Sequence, residues 1–322
     1  MRPTNSLRNP KIPPNQPQFQ VEHVSGEPPL YVQVSRELER MVLALPLNHS
    51  DPLPSEPKLI DRWGVSRGTL RHAVNELART GLLRVEQGRG TFVNHDVQVR
   101  LIVRERLVDV ALPDSRFHLD FDRFVPDFLD RETCDATIMA RPEWEAAQTV
   151  FAAPDNSLEH LRAQALVQGK RLVVPTFGLL RGYVVLDPTV IPEENILLAA
   201  TLDGMERCGT TVDSPSAESL GRIDLLVTGA TAASSDGQHI GPGNRFLSIE
   251  IHEMEEAGVI DGSTPRVIVV HDCQVVEGPV ALQRPESTPF VVITPTRSIG
   301  QLPIAGVGAK VGEMMRGTNG NS

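Results

Sequence analysis

The amino-acid sequence predicts an α/β protein: an N-terminal helix-turn-helix with a two-stranded wing, then a larger layered α/β domain on a mainly parallel sheet. Three observations carry that expectation. Residues 53–93 present helix, turn, helix and wing signals in close succession. Past residue 95, short β-branched runs alternate with helical stretches, as in βαβ units. Charge also changes sign along the chain. Residues 1–95 hold 12 Lys and Arg against 9 Asp and Glu, net +3, whereas the remainder holds 19 against 32, net −13. Only the first part can lie against phosphate without strong repulsion. With 322 residues and 40% hydrophobic content, about two domains with full cores are expected. Their expected bounds are a flexible polar tail over 1–27, the winged helix-turn-helix over 28–95, the α/β domain over 96–312 and a flexible C-terminal tail over 313–322.

The first element is an amphipathic helix marked by Val34, Leu38, Met41, Val42 and Leu45. Leu53-Pro54-Ser55-Glu56 opens the next, with Ser55 as its expected cap and as a residue expected to meet DNA. Gly64-Val65-Ser66 reads as a tight turn, and Arg67 to Arg79 as a second helix of the pair. There Leu70, Ala73, Val74 and Leu77 recur at core spacing, while Arg67, Gly68, Arg71, His72 and Asn75 share the opposite face. A helix of this kind enters the major groove of double-stranded DNA by its first turn, where Ser66, Arg67, Thr69 and Arg71 stand. The runs Leu82–Val85 and Thr91–Val93 form the wing, and its tip carries Gln87, Gly88 and Arg89 to the DNA backbone or minor groove. A plain solvated arginine face is the bland alternative.

The α/β part follows without a long linker, through a helix expected over Val97–Ala111. Strands are expected at Leu172–Thr176, Tyr183–Leu186, Ile223–Thr228, Arg266–Val270 and Phe290–Thr294. Each is short and nearly continuously apolar, which suits strands buried on both faces. Helices are expected at Pro142–Val150, Leu158–Val167 and Phe246–Ala257. Ligands in such folds lie at the carboxyl ends of the strands. One loop there, Asp236 to Phe246, contains Gly241, Gly243, Asn244 and Arg245 ahead of a helix, a turn that can aim backbone N–H groups at an anion. Gly-Pro-Gly also serves as an ordinary tight turn, and spacing alone favours that reading. A second cluster is His271-Asp272, which reads more readily as a hydrogen-bonded pair at a strand end than as a metal site. Thr294, Thr296 and Arg297 can add hydroxyls and a guanidinium to the same rim.

Cys134, Cys208 and Cys273 are odd in number and widely spaced, so neither a disulfide framework nor a zinc set is expected, and a reducing cytoplasm is the natural setting. No run of about 18 apolar residues is present, so no membrane span is expected.

These motifs carry two resemblances. Pro29-Leu30-Tyr31, Leu53-Pro54-Ser55-Glu56, Val65-Ser66-Arg67, Gly81-Leu82 and Gly88-Arg89-Gly90-Thr91-Phe92-Val93 together resemble the winged helix of GntR-type transcriptional regulators. Members usually carry an arginine after the Leu-Pro-Ser-Glu run, where this chain has Pro57. The order of Arg141-Pro142-Glu143-Trp144, Asn156 to Ala165, Lys170 to Thr176, Leu179 to Gly182, Ile223 to Gly229, Gly241-Pro242-Gly243, Val270-His271-Asp272 and Thr294 to Arg297, with Arg123 to Phe128 before the first strand, resembles 5-formyltetrahydrofolate cyclo-ligases, most closely their divergent branch. That family uses ATP and Mg²⁺ to close 5-formyltetrahydrofolate to 5,10-methenyltetrahydrofolate. Departures fall in the glycine loop, where Pro242, Arg245 and Ser248 replace a Lys or Tyr, a glycine and a metal-side acid. Glu250 remains as the residue to hold a metal, and Arg245 can still neutralise a phosphate.

The resemblances imply a DNA-binding transcriptional regulator, expected as a homodimer on two-fold half-sites. Its degenerate cyclo-ligase-like domain would sense a folate, a nucleotide or another anionic metabolite near Gly241, Gly243, Asn244, Arg245, His271, Asp272, Thr294 and Thr296. The alternative is an active ATP- and Mg²⁺-dependent cyclo-ligase with an appended DNA-binding domain. A third is a DNA-binding domain on a purely structural dimerisation body.

Overall fold

The computed structural model describes residues 28–176, 179–241, 246–277, 288 and 290–302. The expected tails over 1–27 and 313–322 lie outside them, as does 303–312. Two compact units divide between Asn94 and His95.

The first unit runs α1 (Leu30–Leu43), α2 (Glu56–Trp63), α3 (Arg67–Arg79), β1 (Leu83–Glu86) and β2 (Gly90–Val93). Pro29 precedes α1 with φ −49°, a value that its ring imposes and that suits entry to a helix. Val34, Leu38 and Val42 turn one face inward, and Leu70, Ala73 and Leu77 of α3 bury the facing stripe. Met41, Leu45 and Val74, expected in that core, are half-buried at its margin. Each fully buried Leu or Val contributes about 1.5–3 kcal/mol. In the wing β1 and β2 pair antiparallel, Leu83 opposite Val93 and Glu86 opposite Gly90. Glycine is required at residue 90: φ is +124°, and a Cβ there would meet Pro52 Cβ at 2.9 Å. The Leu53 N–H donates to the Thr91 carbonyl at 2.7 Å, which ties the segment before α2 to the wing.

The second unit begins with α4 (His95–Leu107), α5 (Arg131–Met139), α6 (Pro142–Ala146), β3 (Thr149–Ala152), α7 (Glu159–Val167), β4 (Arg171–Pro175) and β5 (Tyr183–Leu186). It continues through α8 (Ile196–Ala199), α9 (Met205–Cys208), β6 (Thr210–Val212), β7 (Leu225–Gly229), β8 (Ala232–Ser234), β9 (His239–Ile240) and α10 (Phe246–Glu256). The last elements are β10 (Arg266–Val269), β11 (Val275–Val276), β12 (Val291–Ile293) and β13 (Ser298–Ile299). The main sheet has the order β13-β12-β10-β7-β3-β4-β5-β6. Its five central strands, β12 to β4, are parallel, and β13, β5 and β6 join antiparallel at the sides. Strands β11-β8-β9 form a small second sheet.

The apolar runs are continuous because both faces are covered. Val150, Leu172, Val174, Leu225, Val227, Val267 and Val269 pack in one core with Ile138, Trp144, Leu161 and Leu166. The alternate residues Phe151, Val173, Leu226 and Ile268 pack in the other with Ile251, Met254 and Val259. Carboxyl ends of the parallel strands therefore lie along one rim, and the segments after β3, β7, β10 and β12 meet there.

Two expected elements are corrected. The helix expected over Pro142–Val150 stops at Ala146, and Thr149–Ala152 is a strand at the centre of the sheet. Glu143-Trp144-Glu145-Ala146-Ala147 favours helix locally, and burial on both faces overrides that preference from Thr149 onward. The helix expected over Val97–Ala111 begins at His95 and ends at Leu107.

Candidate functional site

In the first unit the turn and helix expected to meet DNA expose one polar face. Ser66 caps α3: its Oγ accepts from the Thr69 N–H at 3.1 Å and lies 2.9 Å from Thr69 Oγ1. Arg67, Gly68, Arg71 and Asn75 are exposed. His72 is exposed too, but its ring lies flat on Tyr31, centroids 3.9 Å apart and planes 1° apart, which holds it toward α1. Ser55 stands at the N-cap of α2 with extended backbone, yet its side chain makes no cap hydrogen bond. Pro57 occupies the second helical position and has no N–H, which removes one of the two donors a cap can receive.

The arginines are held by carboxylates that sequence reasoning passed over. Arg71 Nε donates to Glu56 at 3.0 Å and 3.3 Å, and Arg67 Nε lies 3.8 Å from the same carboxylate. At the wing tip Gln87, Gly88 and Arg89 are exposed; Arg89 Nη1 donates to Glu86, which also takes Arg84 Nε at 2.9 Å. Glu56 belongs to the Leu53-Pro54-Ser55-Glu56 helix start, and Glu86 directly precedes the wing tip. Their signal is only a position beside the arginines in space, and Glu56 lies fifteen residues from Arg71.

In the second unit the rim is acidic and partly closed. Asp155, after β3, accepts the Gly229 N–H at 2.7 Å, and a Cβ at Gly229 would stand 3.0 Å from that carboxylate and 2.7 Å from Val125 Cγ1. Arg162 of α7 is buried and ties the segment down by donating to the carbonyls of Ala153, Asp155 and Ala200 at 2.8–2.9 Å. Arg162 Nη2 and the buried Ser157 Oγ have no hydrogen-bond partner among the described residues. Glu250 of α10 is 5% exposed. Burial, then the charges of Asp155 and Glu253, push its carboxyl up to about 8. Burial also pushes Asp155 up to about 6. Tyr183 donates its hydroxyl to Glu253 at 3.0 Å. Near neutral pH Glu250 thus carries a proton that a surface glutamate would have lost. On the outer side Asn156 Nδ2 and Arg116 donate to Asp114 at 2.7–2.9 Å, and the Arg116 contact holds that carboxyl well below its usual range.

The expected His271-Asp272 pair divides between other partners. His271 Nδ1 accepts from the Cys273 N–H at 3.2 Å, and the His271 N–H donates to Gln274 Oε1 at 2.7 Å. Asp272 Oδ1 accepts from Thr294 and Thr296 hydroxyls, each at 2.7 Å, with Arg297 Nε at 3.5 Å. Those hydroxyls are therefore engaged within the protein. Among the described residues no atom beyond its chain neighbours lies within 4 Å of where a Cβ on Gly241 would stand. Gly243, Asn244 and Arg245 lie outside the described residues. Ser248 is exposed.

Among the described residues Glu250, the one expected to hold a metal, is not joined by two further His, Cys, Asp or Glu side chains in a metal cluster.

With this geometry in view, the comparisons divide the chain in the same two parts. Residues 98–283, more than half of the chain, match the model of the 5-formyltetrahydrofolate cyclo-ligase family. The chain belongs to that family. Residues 30–93 of this cyclo-ligase-family protein match the model described as bacterial regulatory proteins, gntR family, so its first unit is a gntR-type domain. A methenyltetrahydrofolate synthase domain-containing protein of Bos taurus is 30% identical over 204 residues, 61% of this chain and 52% of the relative. The HTH-type pyridoxine biosynthesis transcriptional regulator PdxR of Corynebacterium glutamicum is 29% identical over 184 residues, 57% of this chain and 37% of the regulator. The HTH-type transcriptional repressor NagR of Bacillus subtilis is 39% identical over 66 residues, 20% of this chain and 27% of the repressor. The chain spans about half the length of the methenyltetrahydrofolate synthase domain-containing relatives it matches. Among the described residues no helix is long and apolar enough to cross a membrane.

Proposed function

We propose that this cyclo-ligase-family protein is a sequence-specific DNA-binding transcriptional regulator, acting in the cytoplasm as a homodimer on double-stranded DNA. Its α/β domain senses a small anionic ligand, a folate or a nucleotide, without efficient turnover. The observation that carries the regulator reading is the first turn of α3, where Ser66 caps the helix and Arg67 and Arg71 stand exposed, in a unit whose wing tip also exposes Arg89. The net +3 charge of residues 1–95 supports it, against −13 elsewhere. Binding of operator DNA selected from a random duplex pool by the full chain tests this reading; a chain that enriches no sequence refutes it.

The sensor reading rests on what the rim lacks for phosphoryl transfer. That chemistry depends on clamping the charge of the transferred group. Here Ser248 stands where the acid of the family pattern is expected, Glu250 holds a proton near neutral pH, and Thr294 and Thr296 are bound to Asp272. Coupling to DNA requires the ligand to bind the DNA-competent and incompetent arrangements with different affinity. Formation of methenyltetrahydrofolate from 5-formyltetrahydrofolate with ATP and Mg²⁺, followed by its absorbance, is expected to be undetectable. Product formed by the parent and lost in Glu250→Ala would make the protein an enzyme with an appended DNA-binding domain. Calorimetric titration with folates and nucleotides separates the sensor from a purely structural body.

A further inference from the structure

One carboxylate serves both arginines at the start of α3, and the atoms it uses differ from those used at the wing. Glu56 grips Arg71 by Nε, at 3.0 Å and 3.3 Å. That leaves Nη1 and Nη2 of Arg71, the two donors that fork onto O6 and N7 of a guanine, without a hydrogen-bond partner among the described residues. Arg89 is held by Nη1 on Glu86, so one arm of its fork is already engaged. Glu56 itself is firmly placed. It is the first residue of α2, where a negative charge suits the helix dipole, and Pro57 fixes the next φ.

We propose that Glu56 is a positioning residue for base selection: it presents the Arg71 guanidinium as a preformed fork to a guanine and disfavours loose contacts with phosphate. The inference rests on the DNA-binding reading above. Three physical effects support it. A free arginine loses rotamer freedom when it docks, and one already held by Nε loses less. The Nε contact can persist when the fork docks, so Glu56 does not lose its partner and become a buried unpaired charge. A carboxylate beside the arginines also repels backbone phosphates wherever no base edge compensates, which lowers sequence-independent binding relative to operator binding.

The experiment uses the full chain, an operator it has selected, single base-pair changes in that operator and an unrelated duplex, at two salt concentrations. Arg71→Ala identifies the guanine position that the fork reads. Glu56→Ala is expected to reduce discrimination at that same position by about 5- to 10-fold, a fraction of what a bidentate contact supplies. It should leave unchanged the positions that neither Arg71 nor Arg67 reads, and bind the unrelated duplex as tightly or more tightly. Glu56→Gln, which keeps an oxygen acceptor for Nε, should retain most of the discrimination and so separate orientation from charge. The proposal is overturned if no position responds to Arg71→Ala, if Glu56→Ala leaves discrimination intact, or if it weakens every duplex equally, as simple helix support would. A parent that selects no operator removes the DNA reading and this role together. An operator that is selected but read equally well by Glu56→Ala removes the role alone.

Discussion

The ionisable groups that mark the candidate site of each unit stand in opposite environments. In the first, Arg67, Arg71 and Arg89 stand at the surface in water, each beside a carboxylate that a DNA phosphate or base can displace or share. In the second, Glu250 is buried and Arg162 is almost fully enclosed. Surface charges select partners and respond to salt; buried ones respond to pH and set which protonation state the fold tolerates. A unit built the first way suits a long polyanion that arrives from solvent, and one built the second way suits a small molecule taken into a rim.

The largest effect expected from this contrast is in DNA binding. Arg67→Ala and Arg71→Ala should each cost about 1–3 kcal/mol of operator affinity. Arg89→Ala should instead weaken all duplexes and flatten the salt dependence. Together the three should lower operator affinity by at least about 100-fold in a filter-binding or anisotropy titration. Retained affinity would mean that the surface arginines are a solvated face only.

Next in size is a test of whether the units fold independently. Leu70, fully buried between α1 and α3, should cost about 2–5 kcal/mol when cut to alanine. Trp63 and Trp144, one buried in each unit, report separately in single-tryptophan variants. Leu70→Ala should lower the transition seen by Trp63 and leave that of Trp144 in place. A common shift would show that the units unfold as one.

A smaller effect concerns pH. The folded pKa of Glu250, about 8, lies above its ordinary 4.5, so the fold favours the protonated acid. Stability from this source is complete below about pH 4.5 and is lost as pH rises through about 8. Glu250→Gln keeps a neutral side chain at every pH. Its stability relative to the parent should therefore climb between these limits, by about 2 kcal/mol or more at pH 9. A difference that does not vary with pH in urea titrations would mean that burial and the neighbouring acids do not raise the Glu250 carboxyl.

The smallest pair compares two caps. Ser66→Ala should destabilise the first unit by about 1 kcal/mol, because it leaves the Thr69 N–H without its acceptor. Ser55→Ala should fall within a few tenths, since Ser55 makes no cap hydrogen bond. Equal losses would show that both hydroxyls cap in solution.

Legibility in the sequence follows the same division. The helix pair and wing could be read residue by residue because each signal, from Ser66 to the Gly88 and Gly90 tip, acts within a few residues. Among the strands, Tyr183–Leu186 was expected with its observed bounds and others within two residues, since burial on both faces leaves a continuous apolar run. Thr149–Ala152 was not, because four residues after a helix-forming stretch carry no period of their own. Missing that strand hid Asp155 at its carboxyl end, just ahead of the Asn156 to Ala165 segment of the resemblance, and with it the contact to Gly229 and one of the charges that raise Glu250. Thr294, Thr296 and Asp272 were expected on one rim, but that the hydroxyls bond to the carboxylate is a fact of three dimensions. Glu56 shows the same limit within the more legible unit.

The borders of the large sheet have a consequence for how this protein behaves when molecules crowd together. An open sheet offers unpaired N–H and C=O groups along its outermost strands, and a strand from a neighbour can add there and start a fibre. Both borders are very short: three residues at Thr210–Val212, two of them exposed threonines, and two at Ser298–Ile299. Each also runs against the direction of its neighbour, so among the described residues the parallel strands do not reach an outer boundary. A visiting strand would find a foothold of one or two ladder bonds, too little to offset the entropy of its own ordering. Many copies gathered on neighbouring stretches of a polymer could thus lie side by side without their sheets fusing.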